Sequence, residues 1–283
     1  MQEADTQYLS APLKTPLQWP AKYSVLGVQV SATSYAEAVD LLVRAAKERA
    51  HAIVDFTPVS VVVEAVNDAV LRSRLNSFDI ACPDGQPVRW FLNHFHRTGL
   101  EDRVCGTTAM LSLCEAAAHE GIGIYLYGST PDTVRLLQSK LLNCFPELNI
   151  AGAECPPFRA LTPEERQQVV DRINQSGAGF VFLGIGSPRQ EHLAWELRND
   201  IAAVQLCVGA AYDFIAGTKK RAPEWMQKIG LEWLYRFYKE PARLGKRYLS
   251  GNIQFLNLLV RELLASLGLG VFKRRVVARS LRL

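Results

Sequence analysis

Residues 78–88 read FDIACPDGQPV, and the change of pattern within this stretch decides the fold. The apolar run IAC at residues 80–82 ends in PDG, and helix-like sequence resumes at Gln86. A short apolar run bounded by turn residues is typical of a buried strand. The stretch therefore predicts a strand, a turn that carries the carboxylate of Asp84, and a helix.

Similar units recur along the chain, which has 283 residues, 48% of them hydrophobic. Helix starts are marked at Ser34 and Thr162, each followed three residues later by Glu in the pattern of a capping box. Apolar runs separated by amphipathic helices are typical of βαβ units. We therefore predict an α/β fold with a Rossmann-like, mostly parallel sheet and helices on both faces. The predicted strands are residues 52–56, 78–82, 122–127, 148–153, 180–184 and 203–208.

Composition divides the chain into three segments. Residues 1–21 contain prolines at positions 12, 16 and 20 and are expected to form a flexible lead-in. Residues 22–240 form the predicted α/β domain, and residues 241–283 a basic amphipathic appendage. From residue 242 onward there are nine Lys/Arg against one acid, whereas the preceding residues carry 23 basic and 27 acidic side chains. Such an asymmetry indicates an anionic partner for the appendage, namely membrane lipid, nucleic acid or phosphate, with a merely solvated tail as the alternative.

The appendage contains a long apolar run at residues 253–272, interrupted by Arg261-Glu262. A membrane-spanning helix needs about 20 predominantly apolar residues, and a charged pair at its centre would be costly. In helical register Gln254, Asn257 and Arg261 form a polar stripe, which favours a helix that lies in the membrane interface. The cluster at residues 273–275, KRR, can then meet anionic headgroups of the inner leaflet. A helix packed on the core or on a partner is the alternative.

Missing patterns narrow the class of protein. The six cysteines form no C-x-x-C pair and no apolar secretory segment follows Met1, so we expect a reduced, cytosolic protein with free, mostly buried thiols. No D-x-D, H-E-x-x-H or Walker A motif is present. His94 and His96 are expected to be surface residues of a helix. Chemistry without a metal ion is therefore predicted.

Four loops that follow predicted strands carry the candidate site, because parallel sheets bind ligands at the carboxyl ends of their strands. The first loop contains Thr57-Pro58, where the Thr hydroxyl either contacts a ligand or only shapes the turn. The second contains Asp84-Gly85. A carboxylate flanked by apolar sequence tends to have a raised pKa, which suits it to proton abstraction, although Asp-Gly is also an ordinary turn sequence.

The third loop contains Gly128-Ser129-Thr130, with Thr130 as a helix cap before Pro131. The N–H groups at that helix start would attract a phosphate. The fourth loop, residues 184–191, groups Gly186, Pro188, Arg189, Gln190 and Glu191 at a strand end. The sequence SPRQ at 187–190 predicts a capping box with Pro at the first helical position, and this many polar side chains in a first turn indicates a binding site.

Taken in order, these loops and the motifs after them resemble the WecG/TagA/CpsF glycosyltransferases, which form glycosyltransferase family 26. The resemblance spans about residues 24–256 and depends on the number and order of the motifs. The matching motifs are TP at 57–58, PDG at 83–85, DRVCGTT at 102–108, YGST at 127–130, GSPRQE at 186–191, VGAAYDFIAG at 208–217, RAPEWM at 221–226, GLEWLYR at 230–236 and EPARLGKRYL at 240–249.

The resemblance implies an inverting, metal-independent enzyme without a cofactor, held peripherally at the inner face of the plasma membrane. It would move a hexose or N-acetylhexosamine from a UDP-sugar to a monosaccharide on polyprenyl diphosphate, and exopolysaccharide synthesis is the slightly preferred pathway. A homo-oligomer is left open, and nucleic acid is not an expected partner. Many members have Asn where this chain has Val59, which leaves the contact made there in doubt.

The same resemblance assigns roles to individual residues. Asp84 would be the general base, and Thr57, Arg103 and Gln190 would line the catalytic pocket. Basic side chains of the C-terminal segment would close over the diphosphate at Arg236, Arg243 and Arg247. The remaining expected substrate-binding residues are Gly85, Gly128, Ser129, Thr130, Gly186, Pro188, Glu191, Gly209 and Asp213.

Two other functions stay open at this stage. An NAD-dependent Rossmann oxidoreductase would need G-x-G-x-x-G after a strand, but Gly128 is followed by Ser-Thr-Pro. A non-catalytic adaptor at the membrane surface would use the basic appendage alone.

Overall fold

A computed structural model of the chain describes residues 16–267, and within this range the side chains of residues 242–250 are not described. The strands are β1 (Lys22–Val25), β2 (Val28–Ser31), β3 (Ile53–Thr57), β4 (Ile80–Pro83), β5 (Ile124–Gly128), β6 (Ile150–Glu154), β7 (Phe180–Gly184) and β8 (Val204–Cys207). The helices are α1 (Tyr35–Lys47), α2 (Val59–Asn67), α3 (Ala69–Ser77), α4 (Gln86–His96), α5 (Gly106–Glu120), α6 (Pro131–Cys144), α7 (Pro163–Ser176), α8 (Arg189–Glu196), α9 (Ala211–Ala216), α10 (Glu224–Lys228), α11 (Glu232–Lys239) and α12 (Pro241–Ser266).

The main sheet has six parallel strands in the order β4-β3-β8-β7-β5-β6. All six predicted strands are present; β7 has the predicted bounds, and the ends of the others are displaced by one or two residues. Every residue of β3, β4, β5 and β8 is buried, as expected for strands covered on both faces. The predicted α/β fold is therefore confirmed.

Two hydrophobic clusters lie on opposite faces of the sheet. Along β7, Phe180 and Phe182 point into the cluster under α1, α5, α6 and α9, whereas Val181 and Leu183 point into the cluster under α2, α3, α4, α7 and α8. Alternate side chains of a strand point to opposite faces, so each strand contributes to both clusters. This double coverage leaves the strand ends as the edge at which a ligand can reach the sheet.

An antiparallel hairpin, β1–β2, precedes the sheet and has no counterpart among the predicted strands. Its two-residue turn, Leu26-Gly27, has φ values of 54° and 95°, the conformation of a tight hairpin turn. Leu is an unusual residue for the first turn position, which explains why the sequence gives no clear turn signal there. Upstream of the hairpin, Leu17 and Trp19 pack against the core, and residues 1–15 of the predicted lead-in lie outside the described range.

The predicted helix starts are confirmed in three cases. Ser34 and Thr162 each form the complete capping box with the Glu three residues later, and the Thr130 hydroxyl accepts from the Thr133 N–H at 3.4 Å. The capping box predicted at 187–190 is wrong. Because α8 begins at Arg189, its N-cap is Pro188, whose ring offers no acceptor to the first turn.

Helix α12 packs on α2, with one face against the domain and the opposite face exposed to solvent. Phe255 is buried in the core, and Asn67 and Gln254 exchange two amide hydrogen bonds of 3.1 and 2.7 Å. The predicted polar stripe is thus partly wrong, because Gln254 faces the domain. The opposite face, here named the α12 stripe, exposes Ile253, Leu256, Val260, Leu264 and Leu267. No helix within residues 16–267 is long and apolar enough to cross a membrane.

Candidate active site

The main cavity opens where the direction of the chain through the sheet reverses. After β5 the chain moves to β6 on one side, and after the neighbouring β7 it moves to β8 on the other. The loops leaving β5 and β7 therefore diverge and leave a crevice of about 700 Å³ between them. Ligands of parallel α/β proteins bind in such crevices.

The floor of this cavity is backbone, because the two strand ends approach each other too closely for side chains. Gly128 lies opposite Gly184 in the β5–β7 ladder and has a φ of 138°. A Cβ on Gly128 would lie 2.6 Å from the carbonyl carbon of Gly184, and a Cβ on Gly184 would lie 2.7 Å from the ring of Tyr212. Glycine is therefore required at both positions for this packing.

Positive charge dominates the cavity walls. The lining includes five basic residues against two acidic ones; the basic ones are Arg159, Arg166, Arg189, Lys219 and Arg236, and the acidic ones are Glu196 and Asp213. Neighbours fix at least four of the basic side chains. Lys219 pairs with Asp213 at 2.7 Å, Arg166 with Glu196 at 3.0 Å and Arg159 with Glu165 at 2.6 Å. Arg236 lies over the ring of Phe214 at 5.5 Å. Arginine-rich walls of this kind favour a phosphorylated ligand.

Asp84 lies at the same edge of the sheet as this cavity, at the turn after β4, but it is not one of the residues that line the cavity. The register of the sheet places Thr57 opposite Pro83, so the first two predicted loops are adjacent. The Asp84 carboxylate accepts a hydrogen bond from the Gly106 N–H at the start of α5. Burial raises the pKa of Asp84 to about 6, with Arg103 and this N–H opposing the rise and Glu232 adding to it. A carboxylate with that pKa is ionised near neutrality and still basic enough to take a proton.

Arg103 connects Asp84 to the helices that cover it. The guanidinium is 8% exposed and donates through Nη2 to Gln227 Oε1 at 3.0 Å and to Glu232 Oε2 at 2.9 Å. It therefore neutralises two carboxylates at once, those of Asp84 and Glu232. The short helices α10 and α11 contain no fully buried residue, so this ion pair is a main contact between them and the domain.

Helix α11 links Asp84 to the cavity. Glu232 and Arg236 are four residues apart and lie on the same helix face. Glu232 contacts Arg103, whereas Arg236 lines the cavity. Through Arg103 and Glu232, helix α11 therefore connects the surroundings of Asp84 to the cavity that Arg236 lines.

The predicted site residues fall into two groups. On the cavity wall lie Ser129, Thr130, Gly186, Gly209, Asp213 and Arg236. Behind the wall lie Thr57 and Glu191, both 0% exposed, and Gln190, which is 4% exposed. Glu191 was expected to bind substrate, but its burial excludes direct contact in this conformation. Val59 begins α2 and packs against the core.

Four further expected residues lie elsewhere or outside the description. Gly85 precedes α4 and Pro188 precedes α8, so both shape the turns beside the site. The side chains of Arg243 and Arg247 belong to the undescribed part of α12. Within residues 16–267 no three His, Cys, Asp or Glu side chains lie together as potential metal ligands, and metal-free chemistry stays a prediction. Of the six free cysteines, Cys144 and Cys155 are exposed and the others buried.

The structure adds residues that sequence reasoning did not select. The loop at residues 156–161, together with Arg166, forms a wall of the cavity. Tyr127 lines the same space, and its buried hydroxyl has no hydrogen-bond partner among the described residues. Asp55 is an acidic residue inside a fully buried strand, and this unusual position is the sequence feature that could have identified it as a candidate site residue. Nothing in the sequence of the 156–161 loop indicates its place.

The fold and the site together define a class: a parallel α/β protein with a basic ligand cavity at its topological switch point and a carboxylate of raised pKa at the same edge of the sheet. The chain belongs to the Glycosyl transferase WecG/TagA/CpsF family, whose model matches residues 23–268. The protein is therefore a glycosyltransferase, as the resemblance implied. This assignment favours transfer chemistry over the oxidoreductase and adaptor alternatives.

Proposed function

We propose that the protein transfers a hexose or N-acetylhexosamine from a UDP-sugar to a monosaccharide on polyprenyl diphosphate, with inversion and without a metal ion, in bacterial surface polysaccharide or exopolysaccharide synthesis. The observation that carries the proposal is the pairing of one carboxylate of raised pKa, Asp84, with a cavity at the same edge of the sheet whose walls are rich in arginine. The first supplies a base, and the second supplies the charge that a departing nucleotide needs.

In the proposed step, ionised Asp84 takes the proton from the acceptor hydroxyl as that oxygen attacks the anomeric carbon. The new C–O bond forms on the face opposite the breaking bond to the β-phosphate oxygen, so the configuration inverts. UDP departs with the electron pair of the broken bond. A single placed base suffices for this displacement.

The negative charge that develops on UDP must be stabilised as the bond breaks. Arg236, Arg189 and Arg166 lie on the cavity wall, and α6 begins directly after Ser129 and Thr130, which line the same space. Fixed donors of this kind stabilise charge in the transition state without reorganisation. They fill the role that a divalent cation has in metal-dependent transferases.

Incubation of the full chain with a panel of UDP-sugars and a polyprenyl-diphosphate-linked monosaccharide tests the proposal. We expect one donor to give a product whose mass exceeds that of the acceptor by one glycosyl unit, with chelator present throughout. Tight binding of NAD with no binding of UDP would contradict the proposal and favour the oxidoreductase alternative.

The pH dependence of kcat/KM should report Asp84 in the free enzyme. A base acts only when ionised, so a pKa of about 6 predicts that kcat/KM falls with decreasing pH below about 6 and is level above it. Steady-state rates at subsaturating donor across this range provide the measurement. A rate that rises as the pH falls through 6 would assign Asp84 the role of an acid instead.

We further propose that the α12 stripe contacts the inner-leaflet surface, where the polyprenyl acceptor lies. Its five apolar side chains are exposed, and they recur at helical spacing on the face opposite Phe255. An amphipathic helix buries such a face in the interface between headgroups and acyl chains. The predicted basic cluster KRR at 273–275 lies outside the described residues.

Flotation with vesicles that contain anionic lipid tests this contact. The triple variant Leu256→Gln, Val260→Gln, Leu264→Gln should lose most vesicle binding, because three exposed apolar anchors are removed. Val70→Gln with Leu142→Gln removes exposed apolar side chains on α3 and α6 and serves as the control. If the triple variant floats like the wild type but changes its mass in light scattering, the α12 stripe is a subunit interface and the membrane proposal fails.

A further inference from the structure

Two carboxyl groups that no step of the proposed reaction uses meet behind the active site. Asp55 on β3 and Glu191 on α8, two elements in contact, are both 0% exposed and lie within reach of a hydrogen bond to each other. Two ionised carboxylates in contact without water would repel strongly, so carboxyl groups in such pairs share a proton. A pair of this kind at a site edge calls for an explanation.

The other hydrogen bonds of Asp55 and Glu191 indicate which two oxygens share the proton. Asp55 Oδ2 accepts from Thr57 Oγ1 at 2.6 Å, and Glu191 Oε1 accepts from Gln190 Nε2 at 3.1 Å. Asp55 Oδ1 and Glu191 Oε2 are buried and have no hydrogen-bond partner among the described residues; the same holds for the Ser187 hydroxyl, which also interacts with Glu191. One proton between these two oxygens satisfies both of them.

The surroundings favour a neutral acid within the pair. Around it lie the thiols of Cys82 on β4 and Cys207 on β8 and the carboxyl of Asp84, which supply no positive charge. Burial raises the pKa of Asp55 well above its ordinary value and also raises that of Glu191. Glu191 receives more hydrogen bonds in its ionised form, including one from its own backbone N–H, so the proton belongs on Asp55.

Each carboxyl holds a predicted site residue in one orientation. The Thr57 hydroxyl donates to Asp55, so its lone pairs remain free toward the turn that carries Asp84. The Gln190 amide donates to Glu191 while its Oε1 accepts from the Gly186 N–H at 3.2 Å. Gly209 packs on the same amide, since a Cβ there would lie 3.4 Å from Gln190 Oε1. Gly186 and Gly209 both line the cavity.

We propose that Asp55 and Glu191 share one proton. Through its hydrogen bonds to Thr57 and Gln190, this acid–carboxylate pair keeps Thr57, and the part of the cavity wall that Gln190 contacts, aligned with Asp84. It joins β3, α8 and the loop after β7 through buried hydrogen bonds, and Gly209 in the loop after β8 packs on the Gln190 amide. Both residues are positioning residues, because neither contacts the cavity. The proposed alignment of site residues rests on the proposed transferase function, whereas the proposed sharing of a proton does not.

The test compares a variant that mimics the neutral acid with one that removes it. Asp55→Asn keeps a donor toward Glu191 and an acceptor for Thr57, so it is expected to retain most of kcat. Asp55→Val suits a buried strand but leaves Glu191 and Thr57 unpaired, and loss of alignment is expected to lower kcat about 10²-fold. KM should change little in either variant, because neither residue touches substrate. Glu191→Gln and Glu191→Leu make the same comparison at the second carboxyl group of the pair.

Infrared spectroscopy detects the proposed shared proton independently of catalytic turnover. At mildly alkaline pH exposed carboxyls are ionised, so the wild type should show the carbonyl stretch of a protonated carboxylic acid, and Asp55→Asn should lose it. Absence of this band in the wild type overturns the proposal. Equal kcat for Asp55→Val and the wild type, or equal losses for the Asn and Val variants, also overturns it. If the wild type transfers no sugar, the proposed function fails. The shared proton can still be tested by the infrared band and by thermal unfolding, in which Asp55→Asn is expected to have a higher midpoint than Asp55→Val.

Discussion

Replacement of Asp84 by Asn is expected to lower kcat about 10²–10⁴-fold while the affinity for UDP stays at the wild-type value. Asn keeps the size of the side chain and can still accept the hydrogen bond from the Gly106 N–H. It has no basicity, so the acceptor hydroxyl would have to attack with its proton in place. Single-turnover rates and calorimetric titration with UDP give the two quantities separately.

Asp79→Asn is the matched control, because it makes the same change at the opposite end of β4. Asp79 Oδ2 accepts from the Ile53 N–H at 2.8 Å, away from the cavity, and an Asn oxygen can do the same. We expect its kcat to stay near that of the wild type. If Asp84→Asn turned over as fast as Asp79→Asn, Asp84 would not be the base, and the proposed mechanism would be wrong.

Arg103→Met is expected to have the second largest effect, because it removes the positive charge between two carboxylates. Loss of one partner from a buried ion pair destabilises a protein by about 3 kcal/mol or more, since the other charge stays buried and unpaired. Glu232 is still partly exposed, which places the expected loss at the lower end of that range. Denaturant titration measures the change in the free energy of unfolding.

Two companion variants separate stability from catalysis. Arg103→Met combined with Glu232→Gln removes both charges and should recover much of the lost stability. Lys47→Met breaks the exposed pair with Glu120, for which a loss below about 1 kcal/mol is expected. In Arg103→Met the pKa of Asp84 should rise, because a neighbouring cation lowers a carboxyl pKa, so the acidic fall in kcat/KM moves to higher pH. An unchanged pH profile would show that Arg103 only holds α10 and α11.

The sheet was predictable because its strands are buried on both faces and so appear as uninterrupted apolar runs. The hairpin turn Leu26-Gly27 was not, since its first residue is uncommon in turns. At 187–190 the pattern of a capping box was present, but α8 begins one residue later than the pattern requires. Local signals therefore identified the elements, whereas exact helix starts depended on packing.

The candidate site was predicted as a set of loops but not as a set of contacts. Glycines and polar residues after strands marked the correct edge, because parallel strands bring their carboxyl ends together. The proton-sharing contact of Asp55 with Glu191 joins residues distant in sequence, and only the strand order β3-β8-β7 brings them near each other. The sequence alone could not distinguish a substrate-binding Glu191 from a buried one.

The backbone floor at Gly128 and Gly184 limits how donor preference can change in this fold. Any side chain there collides with the opposite strand or with Tyr212, so no mutation at these positions can reach the sugar without disturbing the sheet. If the donor binds in this cavity as proposed, selectivity between donors comes instead from the rim, namely the 156–161 loop and the cavity-lining residues of α8. Laboratory evolution toward a new sugar should therefore diversify the rim and leave both strand ends untouched.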